Sequence, residues 1–442
     1  MKQITPRAKR RLWSVAVLLL ILAAGVAALA WRPAIAPQAP AQRPPFDAAL
    51  VQRGAQLAAV GQCAVCHTAD PSTPYAGGVP LSTPFGTVYS TNITPDGATG
   101  IGAWSEPAFR RALREGVARD GHLLYPAFPY DHYTRLADDD IHAIYAFMMT
   151  RDALHAPAHP NRLNFPFGLR PLLAGWNLLF LDHAAVRLDP AHDAEWNRGA
   201  YLAQALGHCG ACHSPRNALG AEKKRRYLGG GEAEGWYVPA LNAASPSPLP
   251  WTLDQLTVYL RSGIAPDHAI AGGPMQGVVG NLAQADPRDV RALASYVLTF
   301  MGKPPPPLEA AARAAARSAS QSSLPPATAG DGADAQLLQQ GAQVYAGACA
   351  RCHDSGRTIG SGGAMQLPMA IALYDPDPRS LIHIIRDGIA PQDGRAGRWM
   401  PGFADILTDQ QVTALAAYLR RHGAHAAPWP HLAADVQKAA KP

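Results

Sequence analysis

A chain of 442 residues has room for three domains of about 100–150 residues each, and its 39 Lys/Arg against 33 Asp/Glu leave a formal charge of +6. That excess is confined to residues 1–46, which carry seven basic residues and no acid; the remainder holds 32 against 33, a net of −1. The balance excludes the basic footprint of a nucleic-acid-binding protein.

Lys2, Arg7, Lys9, Arg10 and Arg11 precede LWSVAVLLLILAAGVAALAW, residues 12–31, a run without a formal charge. As a helix the run could cross about 30 Å of hydrocarbon, and the basic residues before it hold that end in the cytoplasm. Ala28-Leu29-Ala30 also fits the small-x-small pattern of signal cleavage. Residues 1–46 therefore read as an anchor or a signal sequence, followed by the stiff spacer PQAPAQRPP at 37–45. Either reading delivers the rest of the chain to the periplasmic side of the inner membrane.

All six cysteines lie in Cys-x-x-Cys-His groups: Cys63-Cys66-His67, Cys209-Cys212-His213 and Cys349-Cys352-His353. Residues at i, i+3 and i+4 share one face of a helical turn. Two thiols can then form thioethers with one porphyrin while the imidazole reaches its iron from the same side, the signature of c-type haem. Zinc would want two cysteine pairs on one ion, and disulfides give no reason for a histidine after each pair. Three covalent haems c are expected.

The haem motifs mark a threefold repeat. Each follows a helix-like stretch with a Gly-Ala pair, Gly54-Ala55, Gly199-Ala200 and Gly341-Ala342. Each precedes an amphipathic stretch ending in Arg-x-Gly, at Arg114, Arg261 and Arg386. Final helical patterns, DDDIHAIYAFMM, DPRDVRALASYVL and TDQQVTALAAYLR, bring Phe147, Tyr296 and Tyr418 to matching places. The expected domains are 47–157, 196–302 and 336–425, with a packing segment at 158–195, a Pro/Ala/Ser-rich linker at 303–335 and a tail at 426–442. Within the packing segment, NRLNFPFGLRPLLAGWNLLFLDH (161–183) is too interrupted by Arg170 and Pro171 to span a membrane. It is expected to pack on the domains beside it, with a surface for a partner or the bilayer as the alternative.

Fourteen residues after the three arginines stand Phe128, Met275 and Met400. The two methionines, in GGPMQGVV and RWMPGF, are the expected sixth ligands; a thioether favours Fe(II) and raises the potential. Met301, Met365 and Met369 do not fit the repeat. Phe128 cannot ligate iron, so the first haem takes another ligand or keeps an open face. His132 is the nearest substitute and His122 the second. An imidazole there would lower the first potential relative to the other two.

STNITPDGATGIGAWS (90–105), WNRGAYLAQALGHCGACHSPRN (196–217), the LYPAFPY loop and the three haem motifs resemble the three-haem cytochrome c subunits of periplasmic dehydrogenases from residue 47 to 425. That resemblance implies an all-α fold of three tandem class I cytochrome c domains. It also implies a non-catalytic, electron-transfer role between a dehydrogenase catalytic subunit and ubiquinone, another cytochrome or a terminal oxidase. Relatives serving PQQ alcohol dehydrogenases or FAD gluconate and sorbitol dehydrogenases usually carry Met at the place of Phe128. The PAFPYDH form is more similar to cytochromes that accompany molybdopterin hydroxylases of the nicotinate or isoquinoline dehydrogenase type. No dinucleotide fingerprint, nucleophile elbow or zinc-protease motif is present. The competing class is a peroxidase-type haem enzyme using an open first iron, with His122, Asp131 and His132 as acid–base groups.

Overall fold

The structure, a computed structural model, describes residues 30–304, 333–354, 365–391 and 400–439, with isolated positions before 30 and between 306 and 314. Most of the apolar run 12–31 and of the linker 303–335 therefore lies outside the described residues. Among the described residues, no helix is long and apolar enough to cross a membrane. The chain divides into two compact units, Met1–Ala58 with Cys66–Arg187, and Ala59–Val65 with Leu188–Pro442. Most of the first haem repeat falls in the first unit, its segment Ala59–Val65 with Cys63 is assigned to the second, and the other two repeats fall in the second.

The first repeat runs through α1 (Ala48–Val60), α2 (Cys63–His67), β1 (Pro80–Thr83), β2 (Gly86–Tyr89), α3 (Glu106–Glu115), α4 (Tyr130–Tyr133) and α5 (Asp138–Met149). After it come β3 (Arg162–Leu163), paired with β2, and α6 (Leu172–Phe180). The second repeat comprises α7 (Ala194–Tyr201), α8 (Gly210–His213), β4 (Gly231–Ala233), β5 (Trp236–Val238), α9 (Leu253–Ser262), β6 (Ile264–Ala265), β7 (Ala269–Ile270), α10 (Pro274–Leu282) and α11 (Pro287–Leu298). The third holds α12 (Ala333–Val344), α13 (Ala350–His353), α14 (Arg379–Asp387), α15 (Asp409–Gly423) and α16 (Leu432–Ala439).

The framework is helical, as an all-α fold requires, but short antiparallel hairpins are added to it. β4 and β5 turn through Glu234 and Gly235, both at positive φ (51° and 83°). Two positive-φ residues make the tight turn that matches strand twist. Strands of two to four residues are too short to show alternation.

In every repeat the first helix crosses the last at the glycine of the Gly-Ala pair. A Cβ on Gly54 would overlap the carbonyl of Ala143 and lie 2.8 Å from the Cβ of Phe147. On Gly199 it would overlap the Ala292 carbonyl, 2.9 Å from the Cβ of Tyr296; on Gly341, that of Ala414, 2.5 Å from the Cβ of Tyr418. The three matched aromatics are thus the floor of three equivalent crossings, and all are at most 6% exposed.

The Arg-x-Gly motif ends a helix. Gly116, Gly263 and Gly388 take φ of 64°, 72° and 75°, and each N–H donates to a carbonyl four residues back. This is the left-handed stop that favours glycine. Arg114 ion-pairs with Asp138 and Arg386 with Asp409, acids in the first turns of α5 and α15.

Residues 161–183 fold back on the first repeat. Leu173 and Ala174 are buried with Val117 and Leu123, and the Arg170 guanidinium donates to the Leu123 carbonyl at 2.6 Å. Tyr125 Oη donates to the Gly168 carbonyl, and Tyr130 Oη to Asn177 Oδ1 at 2.7 Å. The segment therefore clasps the loop that carries Phe128. The C-terminal stretch is likewise no loose tail. Trp429, Leu432 and Val436 are buried in the third repeat's core.

Inside the second unit the two repeats are docked. Trp236 stacks on His383 with centroids 4.9 Å apart, Arg379 pairs with Glu232, and Ser380 Oγ donates to the Tyr237 carbonyl at 2.7 Å. His268 lies at the same seam, where its carbonyl accepts from Ile371 N. Its ring is stacked on Trp251, and burial pushes its pKa down to about 4.

Gly199→Ala is expected to lower the denaturant midpoint of the holoprotein, a loss of roughly 1–3 kcal/mol from overpacking. Gly175→Ala, whose Cβ would meet open space, should be neutral or gain up to about 1 kcal/mol. Between pH 6.5 and 4 an unfolded His268 binds a proton and the folded one does not, so stability should fall as pH falls through that window. The full effect is on the order of 3 kcal/mol below pH 4, and His268→Gln should flatten the pH–stability curve relative to wild type.

Candidate haem sites

Each Cys-x-x-Cys-His group forms a single helical turn. Cys63 and Cys66 lie in α2; Cys209 and Cys349 stand at the N-termini of α8 and α13, with Cys212 and Cys352 inside. All six thiols are partly buried and stand outside any disulfide. Burial pushes Cys209 and Cys349 up to about 12, and Cys212 upward as well. A thioether carries no charge, so surroundings that resist a thiolate accept it without that desolvation cost.

The histidines share one arrangement. His67 Nδ1 lies 2.6 Å from the Thr91 carbonyl, His213 Nδ1 2.8 Å from that of Pro239, and His353 Nδ1 3.2 Å from that of Met365. A carbonyl only accepts, so Nδ1 carries the proton and Nε2 presents its lone pair. This is the tautomer and orientation of a metal-ligating imidazole held by an outer partner. Burial lowers the pKa of all three rings, keeping them neutral and able to ligate. The residues fit three haems c.

The carbonyl partners are what sequence reading missed, since a backbone acceptor has no side-chain signature. One signal did exist, in STNITPDG. Ser90 Oγ accepts from Val79 N, Thr91 supplies the carbonyl to His67, and buried Asn92 donates to the Leu154 carbonyl at 2.7 Å.

Of the expected sixth ligands, Met275 is the second residue of α10, which follows Gly273, whose φ is 52° and whose Cβ would press into the Trp236 ring. Met400 exchanges two backbone hydrogen bonds of 2.9 Å with Ile389, directly after the Arg-x-Gly stop. The first two repeats place the corresponding pairing five residues earlier, at Val117 with Leu123 and Ile264 with Ile270. Of the rival methionines, Met369 packs with Leu249 and Met365 gives its carbonyl to His353. Phe128 lies edge-on to Tyr133. His132, in α4, is 4% exposed, whereas His122 is at the surface with Nδ1 2.6 Å from Asp120.

Models of the cytochrome c family match residues 51–152 and 197–300, and that of subunit III of cbb3-type cytochrome c oxidase matches 336–419. The cytochrome c subunit of gluconate 2-dehydrogenase from Pantoea cypripedii is 38% identical over 396 residues, 84% of this chain and 85% of that protein. The chain belongs to the dehydrogenase cytochrome c subunits. A second such subunit, of the quinone alcohol dehydrogenase of Gluconobacter oxydans, is 34% identical over 417 residues, 89% of this chain and 82% of its own. A nicotinate dehydrogenase subunit from Pseudomonas putida is 43% identical over 440 residues; the match takes in 98% of this chain but spans only 36% of that protein's length. Covalent haem c is the cofactor of this cytochrome subunit.

In the reduced, diamagnetic holoprotein, proton NMR should find slowly exchanging Nδ1–H signals from His67, His213 and His353. His353, with the longest bond, should exchange fastest; rapid exchange at His67 would show that its carbonyl contact is not held.

Proposed function

We propose that the chain is a three-haem electron-transfer subunit on the periplasmic side of the inner membrane, held there by residues 12–31. It carries electrons from a catalytic dehydrogenase subunit to ubiquinone or to a further cytochrome and a terminal oxidase. The observation that carries the reading is the thrice-repeated Cys-x-x-Cys-His turn with Nδ1 on a carbonyl. Haem c supplies a one-electron couple, and the protein sets its position and potential.

Three cysteine pairs, Cys63/Cys66, Cys209/Cys212 and Cys349/Cys352, hold one porphyrin each. His67, His213 and His353 offer Nε2 to the irons. Met275 and Met400 present thioethers to the second and third, which favours their reduced state. His132 serves the first; its burial supports it over the surface-exposed His122. The partner is a molybdopterin hydroxylase. Phe128 in PAFPYDH supports that branch, as does the similarity to the nicotinate dehydrogenase protein along 98% of this chain.

Purification from native membranes in mild detergent tests the partner: molybdenum and a pterin should copurify, while PQQ or FAD would move the chain to the alcohol or gluconate group. His132→Ala should turn one haem of three high-spin and let it bind carbon monoxide, with the Met275 and Met400 haems unchanged. An unaltered low-spin spectrum would remove His132 from the iron.

A further inference from the structure

α6 is built inside out. Its inner face carries Leu173 and Ala174, buried, and Asn177, bonded to Tyr130. Its outer face carries Leu172, Leu178 and Leu179, which are 49%, 71% and 69% exposed, with Gly175 between them at helical spacing. A surface helix facing water places charged residues there, yet LLAGWNLLF contains none. Phe165 and Leu169, just before it, are 88% and 51% exposed. Single exposed leucines need no explanation, but an apolar cluster of this kind marks an interaction surface.

Two observations identify what covers it. Ala30, at the end of the charge-free run 12–31, packs against the same cluster of Val117, Leu123, Leu173 and Ala174 that seats α6. The run therefore ends at the cluster that seats this helix. In addition, no acid occurs between Asp152 and Asp182, while Arg162 and Arg170 lie within that stretch. That charge pattern suits an anionic surface. We propose that the outer face of α6, with Phe165 and Leu169, seats in the interfacial layer of the bilayer beside the point where residues 12–31 enter it. Trp31, 73% exposed, supplies a ring of the kind that settles at headgroup depth. The helix lies in the interface and does not cross it. Through Tyr130 and Asn177 it also ties the first haem's loop to the membrane plane. The inference rests on the anchor reading of residues 12–31.

The test uses full-length holoprotein in phosphatidylethanolamine–phosphatidylglycerol vesicles containing a phospholipid with a diazirine near the acyl carbonyl. Illumination followed by peptide mass spectrometry should find lipid adducts in residues 163–187 as well as in 12–31. The double variant Leu178→Glu, Leu179→Glu, at exposed positions, should keep its haem spectrum and its adducts at 12–31 but lose most of those at 163–187. Adducts confined to 12–31 would leave the anchor standing and overturn the docking. Adducts at 163–187 without any at 12–31 would remove the anchor and overturn the placement of the helix beside it. Adducts in neither overturn both, and loss of the 163–187 adducts when the catalytic partner is bound gives the face to a protein instead.

Discussion

Three backbone-to-backbone contacts hold this architecture. At Gly54, Gly199 and Gly341 the first helix of a repeat comes so near the last that a carbonyl occupies the place of a missing Cβ. Any side chain would hold the helices apart and unseat Phe147, Tyr296 or Tyr418 beneath them. The crossing fixes where the first helix ends, and the Cys-x-x-Cys-His turn follows within ten residues. The haem motif is thus carried on a rigid element, with its cysteines and histidine already on one face.

Orientation of the imidazole then depends on a second piece of chain. Thr91, Pro239 and Met365 lie in loops, each held by its own device: Asn92 bonded to Leu154 in the first repeat, the β4–β5 hairpin ending at Val238 in the second, a helical turn at Leu367–Met369 in the third. Different local sequences arrive at one contact, because what the ring needs is an acceptor in one direction and any carbonyl supplies it. The distances run from 2.6 to 3.2 Å.

The loop without a methionine is also the loop with an extra clasp. Tyr125 and Tyr130, on either side of Phe128, both bond to residues 168–177, and His132 in α4 is buried. In the second unit the corresponding loop is held within its own repeat, where Trp236 lies on Gly273, and by the neighbouring repeat, where Gln276 Nε2 donates to the Ala390 carbonyl at 2.8 Å. That bond joins the residue beside Met275 to the one beside the Ile389–Met400 pairing.

The helical turns of the Cys-x-x-Cys-His groups, the threefold repeat, the Arg-x-Gly stops and the matched aromatics were legible from residues alone. Their signals are chemical or steric and local: a thiol pair with an imidazole, a glycine where no Cβ fits, an offset that recurs. The sequence by itself also named the Phe128 anomaly. Tertiary structure decided the rest. Which carbonyl meets each histidine, how residues 161–183 cover the first loop, that Trp429 and Leu432 complete the third core, and that repeats two and three share a seam all depend on distant segments meeting. Backbone acceptors have no residue type, and an apolar side chain reads the same whether it faces a core, a neighbour or open surface. Only the folded chain distinguishes Leu173 from Leu179, one buried and the other 69% exposed, six residues apart on one helix.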